Sequence, residues 1–310
     1  MNKYIYAICL CIGFINISLA HSAGHVYLGV ALESTKDIAH WEKTVGKRAH
    51  IIHMFYRLSS EFPWRQTRRV LKKGYAVMLT LEPRLRGDHK KKSRLKDIYH
   101  GQLDKNLNHS IQMLKSIYHD FPKAQIMIRF GHEMNGAWYR WGCKNNHNQN
   151  TAQDFILAFQ YVVKFFRQHD LKQVRWVWSP NVSYRDDFSV YYPGDQYVDI
   201  IGMSGFNFGP NTSYRPDLTW QTFSEIYDTT YHVLKNYPKP LMITGIACAE
   251  SGGNKATWLK DMQYQLKHRY QRITGLIWFN LNKEADWRID SSQESLKASQ
   301  ILFSDHSLWH

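Results

Sequence analysis

The sequence predicts an α/β fold closed as a (β/α)8 barrel, the TIM-barrel arrangement, and three observations predict it. Apolar runs of strand length alternate with stretches of helical spacing, the pattern of β/α units wound around a parallel sheet. Eight such runs occur, at residues 25–31, 50–56, 75–81, 124–130, 174–179, 198–202, 241–244 and 275–279, the number that closes into a barrel. No linker, low-complexity tract or short internal repeat divides the chain. The competing fold, a doubly wound open sheet, lacks its glycine-rich phosphate loop here.

Taken in order, the chain opens as an export signal. Lys3 supplies the positive start, Tyr4 to Ile17 is an apolar stretch too short for a comfortable membrane span, and Ser18-Leu19-Ala20 is a small-x-small cleavage site. Residues 1–20 are therefore expected to be a signal peptide and residues 21–310 a single barrel domain, secreted or periplasmic and monomeric. No later run approaches ~18 continuous apolar residues, so no membrane span is expected. The first two strands are short apolar runs. The third leads into Glu82-Pro83. Residues 104–118, before the fourth strand, carry apolar positions at helical spacing, and so do residues 154–166, between the fourth and the fifth. The fifth strand reads Trp176-Val-Trp-Ser-Pro-Asn181, and the sixth is followed by Ser204-Gly-Phe-Asn207. The eighth gives Trp278-Phe-Asn280 and then Asp286-Trp-Arg288. In a barrel, function collects in the loops that follow the strands. A single aromatic there is more often core than ligand platform, but Trp or Phe with polar neighbours at four strand ends points to a cleft.

The fourth strand carries the densest cluster, Arg129-Phe-Gly-His-Glu-Met-Asn-Gly-Ala-Trp-Tyr-Arg-Trp-Gly142. A carboxyl group at a strand end, walled by aromatic rings, is how an enzyme raises the pKa of a general acid. The same rings offer flat apolar faces on which sugars stack. The bland alternative is a packed corner in which Glu133 is salt-bridged to Arg129. His132-Glu133 is not a metalloprotease pair, because the second zinc-binding histidine would fall at Gly136. No nucleophile-elbow motif supports Ser-His-Asp hydrolysis. The 16 histidines are scattered, so neither a metal site nor a cofactor is expected.

The formal charge is +14, and much of it is local, in Arg84, Arg86, Lys90, Lys91, Lys92, Arg94 and Lys96. Such a run is ordinarily a solvated face. Its sharper reading is attraction to an anionic glycan or cell surface. Nucleic acid is disfavoured, because stacking aromatics are not interleaved with the basic residues. Cleavage of the signal would remove Cys9 and Cys11 and leave Cys143 and Cys248, an even number in an oxidising compartment. Both follow predicted strands, and two readings stand: a disulfide across the barrel mouth, or two free buried thiols.

The stretch from Arg129 to Gly142 resembles the acid/base segment of glycoside hydrolase family 26, the β-mannanase-like retaining glycanases. Tyr191-Tyr-Pro-Gly-Asp-Gln-Tyr-Val-Asp-Ile-Ile-Gly202, Gly252-Gly-Asn-Lys-Ala-Thr-Trp258 and Trp278-Phe-Asn…Asp286-Trp-Arg288 extend the resemblance, in order, over most of the chain. The resemblance implies an endo-hydrolase-type barrel acting on a β-linked, mannan-like polysaccharide, with Glu133 as acid/base. It further implies that Arg129, His132, Glu82 and Phe206 serve the substrate site, that Trp138 and Trp141 line the cleft, and that Trp278 is a stacking platform.

Two departures stand against turnover. A retaining mechanism needs a second carboxyl about 5–5.5 Å from the first. The family's seventh-strand nucleophile aligns with the end of Lys239-Pro-Leu-Met-Ile-Thr-Gly245, and glycine cannot form a glycosyl ester. The family's sixth-strand tyrosine, which contacts that nucleophile, is Phe206. Either a substitute such as Glu250 or Glu82 serves the site, or water is used with inversion, or the barrel is a catalytically silent carbohydrate-binding pseudoenzyme. Glu250 lies five residues beyond the expected position, and Glu82 reads more readily as a structural or sugar-binding group.

Overall fold

The structure, a computed structural model, describes residues 25–59, 62–88, 92–145, 148–183, 186–210 and 218–310. The expected export signal, with Cys9 and Cys11, and two lysines of the basic run, Lys90 and Lys91, lie outside the described residues. The strands are β1 (Tyr27–Ala31), β2 (Ile51–Arg57), β3 (Ala76–Glu82), β4 (Ile126–Phe130), β5 (Arg175–Trp178), β6 (Ile200–Asn207), β7 (Leu241–Cys248) and β8 (Ile273–Phe279). They pair in parallel, in chain order, and β8 closes on β1. The helices are α1 (Ile38–Val45), α2 (Trp64–Lys72), α3 (Leu95–Tyr99), α4 (Asp104–Asp120), α5 (Ala152–Gln168), α6 (Phe223–Leu234), α7 (Lys255–His268) and α8 (Gln293–Phe303). The (β/α)8 barrel read from the alternating pattern is therefore the fold. No helix among the described residues is long and apolar enough to cross a membrane.

Local chemistry explains the boundaries. Thr151 caps α5 and Thr222 caps α6, each in a reciprocal capping box, with Asp154 and Glu225. The two helices read from periodicity, 104–118 and 154–166, fall inside α4 and α5. Strands β6 and β7 run on past the predicted ends at 202 and 244, to Asn207 and Cys248. Covered on both faces, the strands are apolar almost throughout, as parallel strands must be.

Two layers fill the barrel. A lower one is apolar: Tyr27, Ile51, Ala76, Met78, Met127, Val177, Ile200, Met242 and Ile277 pack as their own cluster. Above it lies a buried polar layer of His53, Thr80, Arg129, Ser179, Ser204 and Thr244. That second layer is the floor of the mouth where the strand-end residues gather.

The structure overturns the disulfide reading. Cys143 and Cys248 are free thiols. Cys143 sits in the loop after β4, its Sγ donating to Thr151 O at 3.4 Å, whereas Cys248 ends β7 and donates to Ala249 O at 3.3 Å. β4 and β7 are three strands apart in the barrel, and each thiol faces its own surroundings.

Candidate active site

The loop after β4 makes two left-handed steps, Gly131 at φ 53° and Glu133 at φ 56°. For a residue with a side chain this conformation costs about 1–3 kcal/mol, and such strain concentrates at functional sites. It is held here by Glu133 N donating to Ser179 O at 2.8 Å and by Gly136 N donating to Glu133 O at 3.0 Å. The turn brings a carboxyl group that is only 6% exposed to the barrel mouth. Trp138 Nε1 donates to Glu133 Oε2 at 2.8 Å. Burial raises the pKa of this carboxyl, against the charge of Arg129 and hydrogen bonds from Trp138, Asn181 and Ser204. The result is an acid that holds its proton longer than an ordinary glutamate.

Arg129 does not form the simple salt bridge of the packed-corner alternative. Its Nε donates to Thr80 Oγ1 at 2.8 Å, and its Nη1 donates to Ser204 Oγ at 3.1 Å and to Thr244 O at 3.2 Å. His53 Nε2 shares Thr80 Oγ1 at 2.7 Å, and Ser179 Oγ bonds Thr244 Oγ1 at 2.7 Å, so the polar layer is one network. Burial, reinforced by the Arg129 charge, holds both His53 and His132 well below the usual histidine range, and they are neutral. The Nδ1 of His132 is buried without a hydrogen-bond partner, so any bond from this ring to a ligand falls to Nε2.

Position 245 is set by a β-bulge. Met203 pairs with Ile243 and Ser204 with Gly245, so β7 has one extra residue at Thr244. The bulge turns two successive residues toward the barrel axis. Thr244 joins the polar layer, and a Cβ on Gly245 would lie 3.4 Å from Ser204 Oγ and 3.5 Å from Phe206 Cζ. The Ser204 hydroxyl also helps lower the Glu133 pKa against burial, so position 245 and the Glu133 carboxyl have Ser204 as a common neighbour. No side-chain carboxylate is present at this place, and the tip of Phe206 rests against it.

The walls differ in part from expectation. Trp138 is 43% exposed and stands open beside Glu133. Trp141 is a correction: it is 1% exposed, donates Nε1 to His132 O at 2.7 Å and lies stacked behind Tyr139, which takes the place at the cleft. Trp278 is a second correction. It points away from the barrel axis, fully buried, and donates Nε1 to Trp287 O at 3.0 Å. Its neighbour Phe279 faces the mouth and packs against Phe55 and Phe206. Tyr139 is one of the three aromatics that the sequence sets around Glu133; Phe55 and Phe279 are not singled out there, and alternation along β2 and β8 would find them only once the inward positions are known.

The remaining carboxylates are engaged. Glu82, at the end of β3, accepts Arg84 Nε at 2.7 Å. Glu250 accepts Ser291 Oγ at 2.6 Å and Ser295 Oγ at 2.7 Å, and Lys255 Nζ donates to the same Ser291 at 2.8 Å. This latch joins the loop after β7 to the start of α8. The basic run is also partly neutralised, with Arg94 paired to Asp88 and Asp97, and Lys96 at 4.0 Å from Asp154.

The sequence profile of glycosyl hydrolase family 26 matches residues 89–234, a span that includes Glu133 and Phe206 and stops before β7. Endoglucanase H of Acetivibrio thermocellus is 32% identical over 270 residues, which is 86% of this chain and 28% of that protein. A mannan endo-1,4-beta-mannosidase A and B of Caldalkalibacillus mannanilyticus is 37% identical over 90 residues, 28% of this chain and 17% of that protein. The chain thus spans less than a third of the length of either relative. Among solved structures, GH26C of a Muricauda species shares the fold, with a TM-score of 0.73 at 17% identity over 95% of this chain and 89% of that one.

Proposed function

The chain belongs to glycosyl hydrolase family 26, and from that premise we propose that it takes a β-linked, mannan-type polysaccharide into the cleft and presents Glu133 as the acid to the glycosidic oxygen, without a nucleophile of its own. The observation that carries this reading is the pairing of a buried, proton-retaining Glu133 with a glycine at position 245. An acid alone protonates a leaving group; double displacement also needs a carboxylate to trap C1. Glu250 is tied to Ser291 and Ser295, and Glu82 to Arg84, which argues against either as a substitute. Trp138, Tyr139, Phe55 and Phe279 supply the apolar faces for sugar rings. Export through the segment 1–20 would put the cleft where polysaccharide is found.

Reducing-end release from a panel of β-glycans tests the reading. The natural chain is expected to bind without release. Gly245→Glu, whose Cβ meets only ordinary contacts, is expected to gain turnover, and adding Glu133→Ala to it should remove about 10²–10⁴-fold of that gain. Turnover by the natural chain that Glu133→Ala abolishes would instead mean that another carboxylate completes the site.

A further inference from the structure

Arg129 is a guanidinium 2% exposed on the barrel axis, and it forms no ion pair with any described residue. Its partners, Thr80 Oγ1, Ser204 Oγ and Thr244 O, are neutral oxygens. Buried charges in proteins are ordinarily paired, because leaving one without a counter-charge is strongly unfavourable. Glu133, Glu82 and Tyr139 favour the charged guanidinium from a distance, but no carboxylate among the described residues sits at ion-pair distance from it. Burial holds His53 and His132 well below the usual histidine range and pushes the Glu133 carboxyl up, and Phe55 lays its ring 5.7 Å from the guanidinium. Desolvation pulls the guanidinium pKa down to about 10, the direction expected of a cation without adequate pairing.

The location of this charge matters. Nη1 bonds the carbonyl of Thr244, the residue immediately before Gly245, and the Ser204 hydroxyl, which itself lies 3.4 Å from the Gly245 Cβ position. Cation, hydroxyl and side-chain-free glycine therefore adjoin one place on the barrel floor, where a Cβ on Gly245 would meet only ordinary contacts with Ser204 and the tip of Phe206. We propose that this place over Gly245 is a receptor for a carboxylate that the chain does not itself carry, with Arg129 as its counter-charge and Ser204 Oγ as a hydrogen-bonding partner. The ligand class is a monocarboxylate, either a small free acid such as formate or acetate, or the carboxylate arm of a uronate-bearing glycan. This inference rests on the reading of the cleft as a glycan site only for the second source. It moves recognition of negative charge from the partly neutralised basic run to the barrel floor.

The full chain is titrated with sodium formate and sodium acetate against sodium chloride at equal ionic strength, and tryptophan fluorescence and melting temperature are followed. The expected result is a saturable response to formate and acetate that chloride does not produce. Gly245→Glu, which supplies the carboxylate internally, should abolish it, and Ser204→Ala should weaken it ~5- to 10-fold. The absence of a saturable response in the natural chain, or an equal response in Gly245→Glu, overturns the proposal. If Gly245→Glu does not fold, the Ser204→Ala comparison decides, and an unchanged affinity there overturns the assigned contact.

Neutral and uronate-bearing β-linked oligosaccharides of equal length separate the two sources. A tenfold or greater advantage for the uronate ligand, lost in the presence of formate, means that the ligand brings the carboxylate. Equal binding of both alongside a saturable formate response means that solution supplies it. Formate binding with no oligosaccharide binding would sink the glycan reading and leave this one standing. Oligosaccharide binding with no carboxylate preference and no formate response would do the reverse.

Discussion

At the scale of single residues, the chemistry turns on how Glu133 is held. Its backbone is in a left-handed conformation, its carboxyl is buried, and one oxygen receives the Trp138 indole N–H. Because burial raises its pKa, the folded state binds this proton more tightly than the unfolded chain does, and stability falls as pH rises above the ordinary glutamate value of 4.5. Glu133→Gln removes that penalty. Thermal unfolding should show the variant more stable at pH 7 by about 0.5–2 kcal/mol, a gain that shrinks as pH falls towards 4.5 and is absent below it. A gain independent of pH would mean that the charge of Glu133 is not its source. The motif around Glu133 was legible in the sequence because its residues are contiguous, whereas the backbone strain and the indole hydrogen bond arise only when the loop is closed.

At the scale of elements, the bulge in β7 decides what residue 245 faces. Without it, Thr244 and Gly245 would point to opposite faces of the sheet; with it, one enters the polar layer and the other overlooks it. Gly202 on β6 makes room for this arrangement, since a Cβ there would lie 2.6 Å from Thr244 Cγ2. Gly202→Ala should therefore destabilise the barrel by about 1–3 kcal/mol through overpacking, measured as a lower denaturant midpoint. An unchanged midpoint would show that Thr244 moves aside freely and that the bulge is not a rigid device. The latch of Glu250 with Ser291 and Ser295 works at the same scale, tying the loop after β7 to α8. Sequence spacing put Glu250 near the site, but hydrogen bonds across two β/α units claim it.

For the whole molecule, barrel closure separates two sets of aromatics. Phe55, Tyr139 and Phe279 serve the mouth, while Trp141, Trp176, Trp178 and Trp278 are sealed between or behind the strands. Trp278→Ala should cost about 3–5 kcal/mol by opening a cavity. In a stability-corrected assay, the folded fraction should keep its affinity for a neutral oligosaccharide. Loss of affinity from a fully folded Trp278→Ala protein would restore that ring to the cleft. The charge of +14 is likewise tempered by the fold, because Arg84, Arg94 and Lys96 stand beside Glu82, Asp88, Asp97 and Asp154.

The sequence by itself determined the eight strands and their order, the helices α4 and α5, and the place of Glu133 just beyond the end of β4. Those features follow from local periodicity and contiguous residues, which need no partner to be read. Only the tertiary structure decided which side of each strand faces the axis. Strand side chains alternate with period two, so a one-residue change of register exchanges Trp278 for Phe279, and the extra residue at Thr244 turns Gly245 toward Ser204. Pairing with neighbouring strands sets that register. It also separated Cys143 from Cys248, and it gathered Arg129, Ser204 and Gly245 from three strands onto one charged floor.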